Sequence, residues 1–261
     1  MNTTQQRRVR IVHDPDPINP RKDYDNLGTM LCWHRRYTLG DEQPKENPTH
    51  AINRLAEEAC PRLAQIVENW EGVSWEWLRD NTPNMTFEQR QQAIGAHLRE
   101  LTNAVLDKYF VILPLYLFDH SGITMRCRPF SCPWDSGQVG YLVCSLEDAR
   151  KNFMLDQGAD WNTCVPWDST GGEVKTTKSL REATVAVLEA EVELYDQYLR
   201  GDVFGFVVEE CETCECCGHT KWKELDSCFG FLGNDMTTNG ILDQLAYDSE
   251  LVEMAKQADI E

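Results

Sequence analysis

The chain has 261 residues, 41% of them hydrophobic and 10% aromatic, enough apolar mass for one large core or two small ones and too much for a disordered chain. Its formal net charge is −18, and the imbalance is local: residues 1–40 carry seven Arg/Lys against four Asp/Glu, whereas residues 182–261 carry four against nineteen, a balance of −15. A surface of that sign repels phosphate backbones and favours a basic partner, which argues against nucleic-acid binding by the C-terminal third.

The longest apolar stretch, Tyr109–Phe118, is interrupted by Pro114 and falls short of the roughly 18 to 20 residues of a membrane-spanning helix. The opening segment MNTTQQRRVRIVHDPDP has arginines but no following apolar run, so a secretory signal is not expected and a cytoplasmic location is. Eleven cysteines, an odd number with five packed into Cys211–Cys228, point to reduced thiols and bound metal rather than disulfides.

In chain order, residues 1–48 are dense in Pro, Asp, Asn and Arg around one apolar piece, Leu27–Trp33, and read as an extended N-terminal arm. From Thr49, Ile52, Leu55, Ala59, Leu63, Ile66, Val67 and Trp70 recur at three- and four-residue steps. They predict a helix that Pro61 kinks or splits. Thr86 and Gln89 form a capping box that opens a second helix, reaching Lys108. Three segments rich in branched and aromatic residues follow, YFVILPLYLFD, GITMRC and GQVGYLVCS, and predict strands separated by the turns DHSG and WDSG.

Ser145 should cap a short helix to Phe153, and a loop through Trp161, Trp167 and Gly171–Gly172 should lead to a long helix, Ser179–Arg200, stopped by Gly201. DVFGFVVEE and TKWKELDSCFGF flank the cysteine loop like the arms of a hairpin, and Ile241–Ala258 reads as an acidic closing helix. Strands and helices mix without βαβ alternation. The expected fold is α+β: an antiparallel sheet over about residues 109–230 packed with helices, and a single domain at 49–261 with a zinc-binding hairpin loop at 211–219.

The segment Cys211-Glu-Thr-Cys214-Glu-Cys216-Cys217-Gly218-His219 offers five soft ligands within nine residues. Two overlapping CxxC pairs, Cys211/Cys214 and Cys214/Cys217, have the spacing at which a tight turn aims two thiolates at one ion. The expected structural zinc ligands are Cys211, Cys214, Cys217 and His219, with Cys216 spare and Cys228 able to replace one. A thiol-rich tip without metal is the alternative.

A second constellation lies in DHSGITMRCRPFSCPWDSGQVG. Cys132, His120 and Asp135 are the residue types of a thiol nucleophile, its base and the carboxylate that orients the base. The same residues also serve as buried small groups and turn formers. The basic residues Arg7, Arg8, Arg10, His34, Arg35 and Arg36 suit a phosphate or an acidic partner, or else ion pairs with Asp23, Asp25 and Asp41. Trp70, Trp75 and Trp77 are expected to staple an interhelix turn. The absence of GxxxxGK[ST], of GxGxxG after a strand and of HExxH removes the usual support for phosphate-loop, dinucleotide and zinc-protease readings.

The segments NLGTMLCWHRRYTLGDE, LYLFDHSGITM, PFSCPWDSGQVGYLVCS, EVELYDQYLRGDVFGFVVEE and LDSCFGFLG resemble an uncharacterised protein family of tailed bacteriophages and related mobile elements, over residues 26–40 and 109–233. Against that family's pattern the Cys211–His219 loop looks like an elaboration. The resemblance implies a phage accessory product at work in the host cytoplasm, with takeover of or interference with a host system, including anti-restriction and other anti-defence roles.

Two functions from different classes follow. One is an inhibitor or modulator whose acidic C-terminal face, mimicking nucleic-acid phosphate, occupies a basic groove on a host protein. The other is a cysteine-dependent hydrolase or transferase using Cys132, His120 and Asp135. A zinc-stabilised module binding nucleic acid through the basic arm is the weakest, because eighteen excess negative charges oppose it.

Overall fold

The computed structural model describes residues 6–71, 80, 82, 84–167, 176–214 and 216–261. In chain order the elements are β1 (Arg7–His13), α1 (Pro20–Asp23), β2 (Thr29–Cys32), α2 (Pro48–Ala59), α3 (Pro61–Glu71), α4 (Phe87–Tyr109), β3 (Phe110–Asp119), β4 (Ile123–Arg126), β5 (Ser136–Ser145), α5 (Leu146–Asn152), β6 (Cys164–Trp167), β7 (Thr176–Ser179), α6 (Leu180–Arg200), β8 (Val203–Thr213), β9 (Thr220–Leu232), α7 (Ile241–Gln244) and α8 (Ser249–Gln257). Helices and antiparallel strand pairs are mixed. The strands do not form the one sheet expected over residues 109–230; among the described residues they fall into three, ordered β1-β8-β9, β2-β5-β3-β4 and β6-β7.

Local chemistry sets most element ends. Asn47 caps α2 by accepting from the His50 N–H, and Pro48 occupies the first turn, where a missing N–H costs nothing. Pro61 splits the expected helix: Cys60 takes φ −135° and ψ 87°, because a residue before proline is pushed out of the helical region, and α3 restarts at Pro61. The capping box is present in both directions, with Gln89 N–H on Thr86 Oγ1 at 3.2 Å and Thr86 N–H on Gln89 Oε1 at 2.8 Å. Ser145 caps α5 through the Asp148 N–H. Gly201, at φ 77°, ends α6 in the left-handed region that a residue without Cβ enters freely.

The chain forms two compact units. One combines residues up to 25 with 116–137 and 190–261. Its three-stranded sheet has β8 at the centre, with every residue from Val203 to Val208 buried. The segment RRVRIVH in β1 alternates, burying Val9 and Ile11, and pairs antiparallel with β8 from Arg7↔Glu210 to His13↔Phe204. Val9, Ile11, Phe204, Phe206 and Val208 pack with Ile241, Leu245, Leu251 and Ala255 of α7 and α8. The expected helix Ile241–Ala258 is interrupted, since Asp248 leaves the helix and caps α8 by accepting from the Glu250 N–H. Residues 1–48, read as an arm, thus supply a paired strand here and β2 in the other unit.

The second unit comprises residues 26–115 and 138–189. It contains α2, α3, α4, the β2–β5 pair, α5 and a two-stranded ribbon, β6–β7, where the sequence suggests only loop. Trp161 is buried, its indole N–H donating to the Lys108 carbonyl at 2.9 Å. No helix among the described residues is long and apolar enough to cross a membrane. The expected stapling role of Trp70, Trp75 and Trp77 falls on side chains outside the described residues.

Candidate functional site

The β8–β9 hairpin carries the cysteine loop at its tip. Its arms pair from Val203↔Leu232 to Thr213↔Thr220, and two register shifts leave Gly230 and Leu225 as extra residues on β9. Bulges of this kind bend and twist a ribbon locally. Beyond Thr213 the turn closes on itself: Cys214 N–H donates to the His219 carbonyl and Gly218 N–H to the Cys214 carbonyl, both at 2.8 Å. Gly218 sits at φ 68°, where a side chain would be strained.

This folding brings the sulfurs of Cys214, Cys216 and Cys217 within 4.8 Å of one another. Cys214 and Cys216 lie 2.9 Å apart, Sγ to Sγ. The hydrogen bond from Cys216, with help from the backbone N–H groups of Cys216 and Cys217, pulls the Cys214 thiol down to about 6. Donating that bond pushes the Cys216 thiol up. The tip therefore holds a ready thiolate with two further sulfurs beside it, a donor set that suits a soft metal ion.

The cluster differs from the expected ligand set. It takes in Cys216, set aside as spare, and does not include Cys211 or His219. Cys211 lies on β8 opposite Trp222, with its backbone N–H on the Gln6 carbonyl, while His219 contributes its carbonyl to the turn. Cys228 faces Phe206 across the hairpin and packs against the core of the sheet. Glu215 lies outside the described residues.

The second constellation does converge. Asp135 Oδ2 lies 3.3 Å from His120 Nδ1 and 3.7 Å from Cys132 Sγ. Asp119 N–H donates to the Asp135 carbonyl at 2.8 Å and Ser136 Oγ to the Cys132 carbonyl at 2.5 Å, fixing the two turns together. One carboxylate oxygen thus stands between thiol and imidazole, whereas a thiol relay places the imidazole in the middle. The turn is open, with the His120 and Asp135 side chains 66% and 40% exposed.

The β1 arginines are held by carboxylates, though not by Asp23, Asp25 or Asp41. Arg7 pairs with Asp248 at 2.8 Å and with Glu250; Arg8 pairs with Glu209 at 2.6 Å and lies over Trp222; Arg10 reaches Glu261 at 2.9 Å. These contacts hold Asp248 and Glu261 below the usual carboxylate range. Asp41 instead accepts from the Met30 N–H at 2.7 Å. His34 Nδ1 accepts from the Tyr37 N–H at 3.1 Å and its ring stacks on Tyr37, while Arg36 lies over the same ring. Arg35 is exposed.

Exposed carboxylates remain. Glu224, Asp226, Asp235, Asp243 and Asp259 are exposed and have no Lys or Arg partner among the described residues. A feature with no sequence signal is a cavity of about 790 Å3 in the second unit, walled by residues of separate elements, among them Lys108, Arg150 and Trp161. Nothing in their spacing announces it. Compared with known proteins, the chain matches no family model, no curated protein and no solved structure.

Proposed function

We propose that the chain is a phage-encoded accessory protein that binds and modulates a host protein with a basic surface, its hairpin tip shaped by a zinc ion on Cys214, Cys216 and Cys217. The supporting observation is the uncompensated carboxylate surface: Glu224 and Asp226 on the hairpin, and Asp235, Asp243 and Asp259 after it, carry no cation. Such a surface attracts a basic groove and does so less as salt screens it. Anti-restriction or other anti-defence activity, with the carboxylates standing in for nucleic-acid phosphates, is the form of modulation that fits this chemistry and the sequence resemblance.

Zinc suits the tip because it binds thiolates without redox change and accepts tetrahedral S-rich sets, which close a structural site. The three sulfurs supply most of such a set, and the metal would stiffen the turn that a partner meets. Metal analysis of the purified protein should return about one zinc per chain, falling to near zero in Cys214→Ser/Cys216→Ser.

The interaction is tested by affinity capture from bacterial lysate with wild type and with a variant carrying Glu224→Gln, Asp226→Asn, Asp243→Asn and Asp259→Asn. A specific host protein should be retained by wild type at about 50 mM salt, released by about 500 mM, and not retained by the variant. Equal retention by both chains refutes the acidic-face reading.

A second reading, a cysteine-dependent hydrolase or transferase, is favoured by one observation, the approach of Cys132 and His120 to the same Asp135 oxygen. It requires Cys132 to react with iodoacetamide faster than the other exposed thiols near neutral pH. Slow labelling of Cys132 in zinc-protected protein removes it.

A further inference from the structure

The second unit contains two cavities whose walls share Lys108 and Tyr109. The larger, about 790 Å3, has both charged and aromatic side chains on its wall. The smaller, about 390 Å3, is lined mainly by apolar side chains of α3 and α4, including Leu63, Ile66, Leu101, Ala104 and Val105, with Arg62 also on its wall. Volumes of this order hold small organic ligands.

The charges in the larger cavity are unevenly satisfied. Two of its carboxylates are ion-paired, Asp107 with Arg181 at 3.3 Å and Glu147 with Lys151 at 2.9 Å, while Asp160 accepts the Asn162 N–H at 2.9 Å and has no Lys or Arg partner among the described residues. Lys108 and Arg150 on the same wall have no carboxylate partner among the described residues either. The Lys108 ammonium lies 5.0 Å from the centre of the Tyr109 ring. Arg150 directs Nε, at 2.6 Å, and Nη2 to the Ala159 carbonyl, which leaves its Nη1 free of that contact and fixes the guanidinium in place. In a chain of net charge −18, two cations without ion pairs against the one such carboxylate, Asp160, leave this wall net positive and favour an anionic guest.

We propose that these cavities together form a binding site for a single-chain amphiphilic carboxylate of medium length, its head group between Lys108 and Arg150 and its alkyl chain among Leu63, Ile66, Leu101 and Val105. The two cations recognise the charge. The apolar compartment, which shares Lys108 and Tyr109 with the polar one, supplies affinity through burial of methylenes, each contributing about 0.8 kcal/mol when fully removed from water. Neither compartment alone specifies this guest: a bare anion would leave the apolar walls wet, and an uncharged alkyl chain would leave Lys108 and Arg150 unpaired.

Isothermal titration of the full-length protein with octanoate, acetate and octanol separates the contributions, and the indole N–H resonance of Trp161, assigned through Trp161→Phe, reports occupancy. Octanoate should bind at least about tenfold more tightly than either acetate or octanol, and should move the Trp161 resonance. Lys108→Ala should weaken octanoate about tenfold, and Ala104→Trp, which fills the apolar compartment from an exposed position on α4, should abolish its advantage over acetate. Thermal unfolding of both variants within a few degrees of wild type shows that the fold is intact; if Lys108→Ala is not, Lys108→Gln serves the same comparison. Octanoate binding no better than octanol, an unmoved Trp161 resonance, or octanoate affinity unchanged in Lys108→Ala and Ala104→Trp overturns the proposal.

Discussion

Cys214 and Cys216 hold their sulfurs 2.9 Å apart at the outermost turn of the hairpin, closer than the about 3.8 Å that separates two thiolates on a tetrahedral zinc with bonds of about 2.3 Å. At that separation one thiol donates to the other, and Cys214 ionises near pH 6. A lowered thiol value means that thiolate is present above it and lost below it. In metal-stripped protein, iodoacetamide should therefore modify Cys214 first, with a rate that rises through about pH 6 and levels above. Zinc should suppress the reaction, and Cys216→Ala should shift the midpoint upward. Peptide mapping across a pH series checks all three.

The Arg21 side chain, 1% exposed, lies 2.9 Å from the Glu191 carboxylate on α6. Breaking a buried ion pair by removing one partner is costly, so Glu191→Ala should destabilise the protein by about 3 kcal/mol. Replacing the pair by Arg21→Met with Glu191→Leu should cost less, because the buried Arg21 charge is removed together with that of Glu191. Urea denaturation of the two variants distinguishes these outcomes.

Asp196 accepts the Met125 N–H at 2.6 Å and lies 3.5 Å from Arg200, yet burial dominates and raises its carboxyl above the usual range. A carboxyl raised in the folded state stabilises the fold when protonated, and this contribution fades as pH rises from about 4 through the raised value. Asp196→Asn keeps an acceptor for Met125 and removes the titration. Its melting temperature relative to wild type should increase between pH 4 and pH 7, which thermal unfolding at several pH values measures.

Gly140 on β5 faces Cys32 of β2, and a Cβ there would press on the Leu31 carbonyl oxygen. The strands can approach only because the residue has no side chain. Gly140→Ala should cost about 2 kcal/mol through forced separation of the pair, and should raise hydrogen exchange at the paired Leu31 and Tyr141 amides.

Where the controlling interactions are local, the sequence is sufficient. Pro61 split a helix through its own ring, Thr86 and Gln89 closed a capping box three residues apart, and Gly201 stopped α6. The partners of β8 were not legible in the same way. β1 alternates as a strand should, but nothing near Arg7–His13 says that its mate lies about two hundred residues away, or that Arg7 would pair with Asp248 rather than with Asp23. The Cys211–His219 loop announced a cluster of thiols that could hold a metal, but which sulfurs converge depends on how the turn closes, and Cys216 joined where Cys211 and His219 did not. The cavity at Lys108, Arg150 and Trp161 left no trace in spacing at all. Propensities, caps and short turns act within a few residues, whereas strand partners, buried ion pairs and cavity walls are chosen by which surfaces meet on burial, and that is settled only in the folded chain.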